Sequence, residues 1–290
     1  MTMDASQESA ARSADAERPI EVLITGATGN IGRKLRAHLE KAGRYRLTLL
    51  CLNPQNDPAV TTADLADYDE SWARHFAGVD TVLHIAADPS PVASWGRIQR
   101  LNLDLLFNVM AAARQHGVRR FVFASSNFVV AGHRFARGPL TTDMEPKPIN
   151  AYGASKLVGE RLGKMFAERF GVSFIAFRIG VCQRANDNQH GPWIPFGWWG
   201  QAMWVSDRDL CRAFESAILD RTVRFGVYNL VSNNPGMRWD IENLKRDLGF
   251  VPQDGERMRV SLAHRARAGC AWLRDVVLPM IGSRIAGRRW

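Results

Sequence analysis

The chain alternates short apolar runs with longer segments of helical periodicity between residues 20 and 231. Strands that are buried on both faces of a parallel sheet appear as continuous apolar runs, whereas amphipathic helices repeat every three to four residues. The apolar runs predict strands at residues 21–24, 47–52, 81–85, 120–124, 174–177 and 227–231. The periodic segments predict helices at residues 31–42, 69–76, 98–116, 154–170 and 207–219. This alternation is typical of βαβ units, so we predict an α/β fold with a doubly wound parallel sheet.

Breaks in this alternation divide the chain into four regions. Residues 1–19 are polar and lack the apolar centre of a secretory signal, so we predict a disordered tail. Residues 20–180 carry most of the predicted sheet, residues 181–255 form a small substrate lobe interleaved with it, and residues 256–290 are a basic appendage.

Residues 182–204 interrupt the pattern with prolines, glycines and tryptophans, which predict a loop rather than a core helix. In a doubly wound fold, such a segment after a late strand either caps the substrate pocket or covers the sheet edge. The sequence leaves both alternatives open.

Composition narrows the class of protein. With 46% hydrophobic and 23% charged residues, the chain of 290 residues is long enough to bury a substantial core. The four cysteines are scattered without CxxC or metal-ligand spacing, so we predict neither a disulfide framework nor a metal site, and we expect a reducing, cytoplasmic location. No apolar run approaches the roughly 20 residues that cross a bilayer.

The net charge of +9 is concentrated in part after residue 256. We interpret this basic segment as a solvated appendage and expect no nucleic-acid partner. Residues 261–290 mix apolar side chains with arginines, a composition that suits a membrane interface, packing on the body of the protein or a contact in a homo-oligomer. Pro279 interrupts any helix here, which weighs against membrane attachment.

A glycine-rich turn follows the first predicted strand and opens the first helix. The sequence TGATGNIG places Gly26, Gly29 and Gly32 around Asn30 and Ile31. Strand, glycine turn and helix together are typical of a dinucleotide-binding unit, because the glycines let the backbone approach the pyrophosphate at the positive end of the helix. We therefore predict that these five residues bind a dinucleotide cofactor.

The end of the second strand bears on the choice between NAD and NADP. An acidic residue at this place usually binds the adenosine ribose of NAD, but here Cys51 and Asn53 occupy it. Arg33 is available to pair with a 2′-phosphate, and Asn53 equally suits an unphosphorylated ribose, so both cofactors stay open. Asp64 and Leu65 are candidates to flank the adenine, although Asp64 suits a helix cap as well.

A second group of residues predicts the chemistry. Ser126 ends the strand in FASSN, and Tyr152 and Lys156 lie four residues apart on one helix in YGASK. An ammonium beside a phenol favours the phenolate and lowers the tyrosine pKa. We predict that Ser126 holds the substrate oxygen, Tyr152 moves a proton, and a nicotinamide exchanges a hydride.

These residues resemble those of the extended short-chain dehydrogenases/reductases, the NAD-dependent epimerase/dehydratase family. The resemblance spans residues 20–253 and includes TGATGNIG, HIAA, FASSN, YGASK, FRIG, WVSDRDL and DLGFVP. It implies that residues 20–180 form a Rossmann dinucleotide-binding domain and that Ser126, Tyr152 and Lys156 are the catalytic triad. It also implies that Ala86 and Ala87 lie along the cofactor, with Asn102 supporting that edge.

Within this family the chain is most similar to uronate dehydrogenases, which implies hydride transfer between NAD or NADP and a hydroxyl or carbonyl of a small sugar acid or related small molecule. The segment GPWIPFGWWGQ replaces the loop that carries their carboxylate-binding arginine. Asn127 and Arg178 are the candidate substrate contacts, although a buried arginine often pairs internally. The alternatives are a nucleotide-sugar epimerase or dehydratase that retains NAD, and a non-catalytic NAD(P)-binding protein.

Overall fold

The computed structural model describes residues 18–185, 188, 197–257 and 262–273. The predicted tail therefore lies outside the described residues, except for its last two positions. Arg18 donates a hydrogen bond to Asp80 at 2.8 Å. None of the helices within these ranges has the length and apolar character that crossing a membrane requires.

A seven-stranded parallel sheet forms the centre of the molecule, with the strand order β3-β2-β1-β4-β5-β6-β9. Its strands are β1 (Ile20–Thr25), β2 (Tyr45–Cys51), β3 (Val60–Thr62), β4 (Thr81–His84), β5 (Arg120–Ser126), β6 (Ser173–Ile179) and β9 (Phe225–Leu230). Two short strands, β7 (Val181–Cys182) and β8 (Trp204–Val205), pair with each other beside it. The order reverses between β1 and β4, which is the doubly wound arrangement that the sequence predicts.

Helices cover both faces of the sheet. They are α1 (Asn30–Ala42), α2 (Glu70–Ala73), α3 (Trp95–Ile98), α4 (Leu105–Gln115), α5 (Ala151–Phe170), α6 (Gly197–Ala202), α7 (Asp207–Leu219), α8 (Glu242–Leu248) and α9 (Leu262–Trp272). Side chains of α1, α7 and α8 share one buried cluster with one face of the sheet. Those of α2, α4 and α5 share the cluster on the other face. This arrangement forms the three layers of a Rossmann-like fold.

The boundaries differ from the predicted ones where local hydrogen bonds decide them. Helix α5 begins three residues before the predicted start because the Asn150 side chain caps it, accepting a hydrogen bond from Gly153 N at 2.8 Å. The segment predicted as one helix at residues 98–116 is α3, a π-helical stretch (Gln99–Asp104) and α4. All six predicted strands are confirmed, whereas the short strands β3, β7 and β8 are additional.

The prediction of a loop for residues 182–204 is wrong in part. The segment contains α6 and β8, while residues 186–187 and 189–196 lie outside the described residues. Trp199 of α6 is 8% exposed, and its ring centroid lies 4.6 Å from that of Trp239. Burial against a partner 40 positions along the chain stabilises this helix, and local sequence patterns do not report such a contact.

Two glycines bring α5 directly onto the sheet. A Cβ atom on Gly159 would lie 2.4 Å from the Phe123 ring, and one on Gly163 would lie 2.1 Å from the Phe174 ring. Both distances are far below van der Waals contact, so no larger residue fits unless the helix moves. The aromatic rings of β5 and β6 therefore set the distance of α5 from the sheet.

The C-terminal helix α9 packs against α6. Of the alternatives for the basic appendage, packing on the body of the protein thus describes residues 262–272. Pro279 and the remaining arginine-rich end lie outside the described residues.

Candidate active site

The carboxyl ends of β1, β4 and β5 meet at one edge of the sheet, next to the first turns of α1 and α5. Thr25, the last residue of β1, organises this edge with its hydroxyl group. Its Oγ1 accepts hydrogen bonds from Ile85 N at 3.1 Å and Ala86 N at 3.2 Å, and lies 3.1 Å from His84 Nδ1. The predicted cofactor residues Ala86 and Ala87 are therefore held beside the glycine turn, partly exposed.

The glycine turn has the close backbone approaches that its residue types predict. Gly26 adopts a left-handed φ of 70°, and a Cβ there would lie 2.8 Å from Ala86 N. A Cβ on Gly32 would lie 2.2 Å from Gly26 O. Gly29 is the N-cap of α1 and has no side chain to cover the first backbone N–H groups. The turn thus fits an anionic pyrophosphate at the helix N-terminus.

The other predicted residues of this turn anchor α1. Asn30 donates a hydrogen bond from Nδ2 to Cys182 O at 3.3 Å, and Ile31 packs partly buried against the core. Arg33 is exposed and donates to Arg184 O. Its guanidinium is therefore directed along the surface beside β7.

At the end of β2, Cys51 and Asn53 both contact Thr28 of the glycine turn. Cys51 Sγ lies 3.0 Å from Thr28 Oγ1, which also donates a hydrogen bond to Asn53 O at 2.8 Å. The Asn53 side chain accepts from Gln55 N at 3.1 Å, within its own turn. No carboxylate takes part in these contacts, which is compatible with either nicotinamide cofactor.

The predicted adenine-flanking pair lies after β3. Leu65 is 2% exposed, and Asp64 Oδ2 pairs with Arg100 Nη2 at 2.6 Å. The alternative that Asp64 caps the following helix is wrong. Asp69 is the N-cap of α2 and accepts a hydrogen bond from Ser71 N at 2.6 Å, because only a residue directly before the first turn reaches its free N–H groups.

Ser126, Tyr152 and Lys156 converge at the end of β5. The Ser126 side chain accepts a hydrogen bond from Phe128 N at 3.2 Å and lies within hydrogen-bonding reach of the Tyr152 hydroxyl. Lys156 Nζ lies 5.7 Å from the centroid of the Tyr152 ring and 4.9 Å from that of Phe123. The edge of the Phe128 ring packs against Tyr152 with centroids 5.7 Å apart. The sequence spacing therefore brings these three side chains into one cluster.

The titration behaviour of this cluster differs from the expectation. Burial raises the pKa of Tyr152, the hydrogen bond from Ser126 opposes this increase, and the charge of Asp88 adds to it. Burial lowers the pKa of Lys156 to about 7. The net pKa of Tyr152 thus lies above its ordinary value and not below it as predicted, because burial disfavours the charged form.

Asn102 connects the loop after β4 to helix α5. Its Oδ1 accepts from Asp88 N at 2.8 Å, and its Nδ2 donates to Asp88 O at 3.2 Å and to Ser155 Oγ at 3.1 Å. Ser155 Oγ in turn donates to Tyr152 O at 2.8 Å. Both polar atoms of the Asn102 side chain bind protein atoms. Through Ser155, Asn102 helps to hold the backbone of Tyr152 in position.

The two candidate substrate contacts have different surroundings. Asn127 is 2% exposed, and neither Oδ1 nor Nδ2 has a hydrogen-bond partner among the described residues. Arg178 is also 2% exposed, but it binds Glu160 with Nε to Oε1 at 2.9 Å and Nη2 to Oε2 at 2.8 Å. The prediction that Arg178 contacts the substrate is contradicted by this bidentate pair, which occupies the guanidinium.

The sequence did not predict the pocket next to Asn127. This small pocket is lined by Asn127, Phe128, Trp199 and Met203. Arg134 and Ile149 also line it. The tryptophan-rich composition of residues 182–204 indicated that this segment could cap a pocket. It did not indicate which tryptophan lines the pocket, because the position of Trp199 depends on helix α6, which was not predicted.

Comparisons with known proteins agree with this geometry. The model of the NAD-dependent epimerase/dehydratase family matches residues 22–182. The chain is 34% identical to the NAD-dependent glucose-6-phosphate dehydrogenase of Haloferax volcanii, over 80% of this chain and 93% of that protein. It is 30% identical to the L-arabinose 1-dehydrogenase (NAD(P)(+)) of the same organism, over 80% of this chain and 96% of that protein.

The structure is similar to that of uronate dehydrogenase from Agrobacterium tumefaciens. The TM-score is 0.69 with 30% sequence identity, covering 86% of this chain and 88% of the other. These three proteins are dehydrogenases of a sugar phosphate, a free sugar and a sugar acid. The chain belongs to the NAD-dependent epimerase/dehydratase family and is an oxidoreductase that transfers a hydride between a nicotinamide cofactor and a hydroxyl or carbonyl group of a small molecule.

Proposed function

We propose that this protein oxidises a hydroxyl group of a free sugar with NAD or NADP, releases the reduced cofactor, and uses Tyr152 as its acid/base group. The observation that carries the proposal is the convergence of Ser126, Tyr152 and Lys156 beside the glycine turn. A turn that fits a pyrophosphate and a buried phenol that can exchange a proton lie at the same sheet edge.

Each side chain has a distinct role in this proposal. Ser126 donates a hydrogen bond to the substrate oxygen and holds it beside Tyr152. The Tyr152 oxygen takes the proton of the substrate hydroxyl as the carbonyl forms. Tyr152 accepts this proton as the phenolate, which protonated Lys156 stabilises, and the charge on the phenol oxygen is lost when the proton arrives. The bound nicotinamide supplies the hydride acceptor.

The glycine turn and the end of β2 support cofactor binding in the same proposal. Gly26, Gly29 and Gly32 let the backbone N–H groups of α1 approach the pyrophosphate. Thr28 holds Asn53 and Cys51 where the ribose would lie, and neither residue repels a 2′-phosphate. Both NAD and NADP are therefore compatible with this edge.

Tyr152→Phe tests the proposal, because it removes only the hydroxyl group that transfers the proton. We expect turnover to fall by about 100- to 10,000-fold while calorimetric titration shows nearly unchanged cofactor affinity. Tyr68→Phe, which makes the same change at an exposed tyrosine outside the cluster, is the control and should retain most of the activity. Full activity in Tyr152→Phe would overturn the catalytic assignment.

The absorbance of reduced nicotinamide separates this function from epimerisation. A dehydrogenase accumulates the reduced cofactor in proportion to the sugar consumed. Sugar turnover without net reduction would support an enzyme that retains NAD and returns the hydride, and would contradict the proposal.

A further inference from the structure

His84 is a buried histidine that the proposed reaction does not use. It ends strand β4, is 1% exposed, and lies in register with Thr25 at the end of the neighbouring strand β1. Its Nδ1 lies 3.1 Å from Thr25 Oγ1, and this is its only hydrogen bond to a described residue. The polar contribution of His84 to the described part of the molecule therefore passes through Thr25.

The Thr25 hydroxyl group makes three hydrogen bonds, which is its full capacity. Its Oγ1 accepts from Ile85 N at 3.1 Å and from Ala86 N at 3.2 Å. A hydroxyl group accepts two hydrogen bonds and donates one. Because the two N–H groups occupy both acceptor positions, the Thr25 hydroxyl donates its proton to His84 Nδ1.

This count fixes the form of the His84 ring. Nδ1 has to be an acceptor, so the ring is neutral and carries its proton on Nε2. A proton on Nδ1 would present Thr25 Oγ1 with a third donor and leave the hydroxyl proton without an acceptor. The surroundings favour the neutral form, because burial lowers the His84 pKa to about 3 and the charge of Lys156 acts in the same direction.

Aromatic rings hold the His84 ring in place. Its centroid lies 5.5 Å from that of Phe121 and 6.0 Å from that of Phe123. These rings pack against the imidazole and offer no conventional hydrogen-bond partner to compete with Thr25. The Phe123 ring also lies 4.9 Å from Lys156 Nζ, so His84 and Lys156 share one aromatic neighbour.

The two N–H groups that bind Thr25 belong to the cofactor edge. Ile85 and Ala86 follow β4 directly, beyond the last residue that pairs with β1 and β5. The Ala86 backbone lies against the glycine turn, since a Cβ atom on Gly26 would be 2.8 Å from Ala86 N. A shift of Ala86 would therefore disturb the turn that fits the pyrophosphate.

We propose that His84 is a positioning residue of the cofactor site. By accepting the Thr25 hydroxyl proton at Nδ1, it directs the Thr25 oxygen to Ile85 N and Ala86 N and so fixes the backbone beside which the dinucleotide binds. This inference rests on the proposed function, because it takes the glycine turn and Ala86 as the cofactor site. His84 acts through Thr25 and contacts neither the cofactor nor the reacting atoms.

Two variants separate the acceptor from the ring. His84→Phe keeps an aromatic ring and removes Nδ1, whereas His84→Asn keeps a side-chain acceptor and removes the ring. By calorimetry, we expect His84→Phe to raise the Kd of NAD or NADP at least about 10-fold and His84→Asn to raise it less than about 3-fold. His75→Phe, at a partly exposed histidine before β4, is the matched control.

The opposite order of affinities would show that packing of the ring matters and the acceptor does not. That result would overturn the inference, as would a Kd for His84→Phe within about 3-fold of the wild type.

A double-mutant cycle tests the path through Thr25 and does not depend on one variant alone. Thr25→Val removes the hydroxyl group and Thr25→Ser keeps it. We expect Thr25→Val to weaken cofactor binding as much as His84→Phe does, and Thr25→Ser to bind nearly as the wild type. The double variant Thr25→Val with His84→Phe should bind no more weakly than Thr25→Val. Additive losses in the double variant would overturn the inference.

Hydrogen exchange separates a failure of this inference from a failure of the proposed function. In protein without cofactor, mass spectrometry of peptides spanning residues 81–88 should show exchange at Ile85 and Ala86 at least about 10-fold faster in His84→Phe than in the wild type. Peptides from α7 should exchange equally in both proteins. Equal exchange at Ile85 and Ala86 would overturn the inference. If exchange and Kd change as expected but the wild type oxidises no sugar, only the proposed reaction fails.

Discussion

Two groups of buried polar side chains lie within a few residues of each other, and their hydrogen bonding is opposite. In the first, here called the Glu160 network, Ser125 Oγ donates to Glu160 at 2.6 Å and Arg178 binds both of its carboxylate oxygens. In the second, the proposed catalytic edge of Ser126, Asn127, Tyr152 and Lys156, the Asn127 amide has no partner among the described residues, and burial shifts both the Tyr152 and the Lys156 pKa.

The difference separates structural from functional polar groups. Groups that satisfy one another stabilise the native state and are not available to a ligand. Groups that stay unsatisfied cost stability, and a protein retains them where binding or chemistry needs them. Replacing a member of the Glu160 network should therefore destabilise the protein, whereas replacing a member of the catalytic edge should lower activity first.

The largest expected effect is on the Glu160 network. Glu160→Gln leaves the Arg178 cation buried, 2% exposed, without its counter-charge. We expect the free energy of unfolding to fall by about 3–5 kcal/mol, measured by urea denaturation. The double variant Glu160→Leu with Arg178→Met removes both charges and is the control that should recover most of this loss. A loss below about 1 kcal/mol in Glu160→Gln would contradict the distinction.

An opposite and somewhat smaller effect is expected for Lys156. Its pKa is lowered to about 7 by burial, against roughly 10.4 in an unfolded chain. Between these pH values the unfolded state binds more protons, so stability rises with pH and protonated Lys156 destabilises the protein near neutrality. We expect Lys156→Met to raise the free energy of unfolding at pH 7 by roughly 2–4 kcal/mol while activity falls.

Lys164 is the matched control for this experiment. It lies on the same helix with its side chain 55% exposed, next to Glu168 at 3.9 Å. Lys164→Met should change stability by less than about 0.5 kcal/mol and leave activity intact. If Lys156→Met destabilised the protein at pH 7, the interpretation of Lys156 as a strained functional group would be wrong.

The smallest effect concerns His84 of β4, which is buried beside the rings of Phe121 and Phe123. Burial lowers its pKa to about 3, so the unfolded state binds the additional proton as pH falls below about 6.5. The stability that depends on neutral His84 is present above pH 6.5 and is lost progressively toward pH 3. Between pH 7 and 5 the wild type should lose about 2 kcal/mol more than His84→Gln in urea denaturation. Parallel losses in the two proteins would refute this.

Local spacing in the sequence predicted the sheet and the convergence of Ser126, Tyr152 and Lys156. Apolar runs report burial directly, and the carboxyl ends of parallel strands meet at one edge whatever the details of packing. The family and the reaction class are confirmed by the relatives.

Contacts over long distances in sequence were not predictable in the same way. The placement of Arg178 depends on strand register: it pairs with Ser125, and both side chains reach Glu160 on α5. Successive side chains of a strand point to opposite faces of the sheet, so Arg178, in register with Ser125, lies on the other face from Ser126. This alternation was the signal available in the sequence. The helix around Trp199 had no local signal, because it depends on Trp239.

The glycine contacts of α5 have a consequence for how precisely the site is built. Gly159 and Gly163 place the helix backbone against the rings of Phe123 and Phe174, with no flexible side chain between them. Tyr152 and Lys156 belong to the same helix, so the contact with these rings fixes the distance of both residues from the sheet. The positions of the Tyr152 and Lys156 side chains therefore depend on the size of two aromatic rings in the core, away from the reacting atoms.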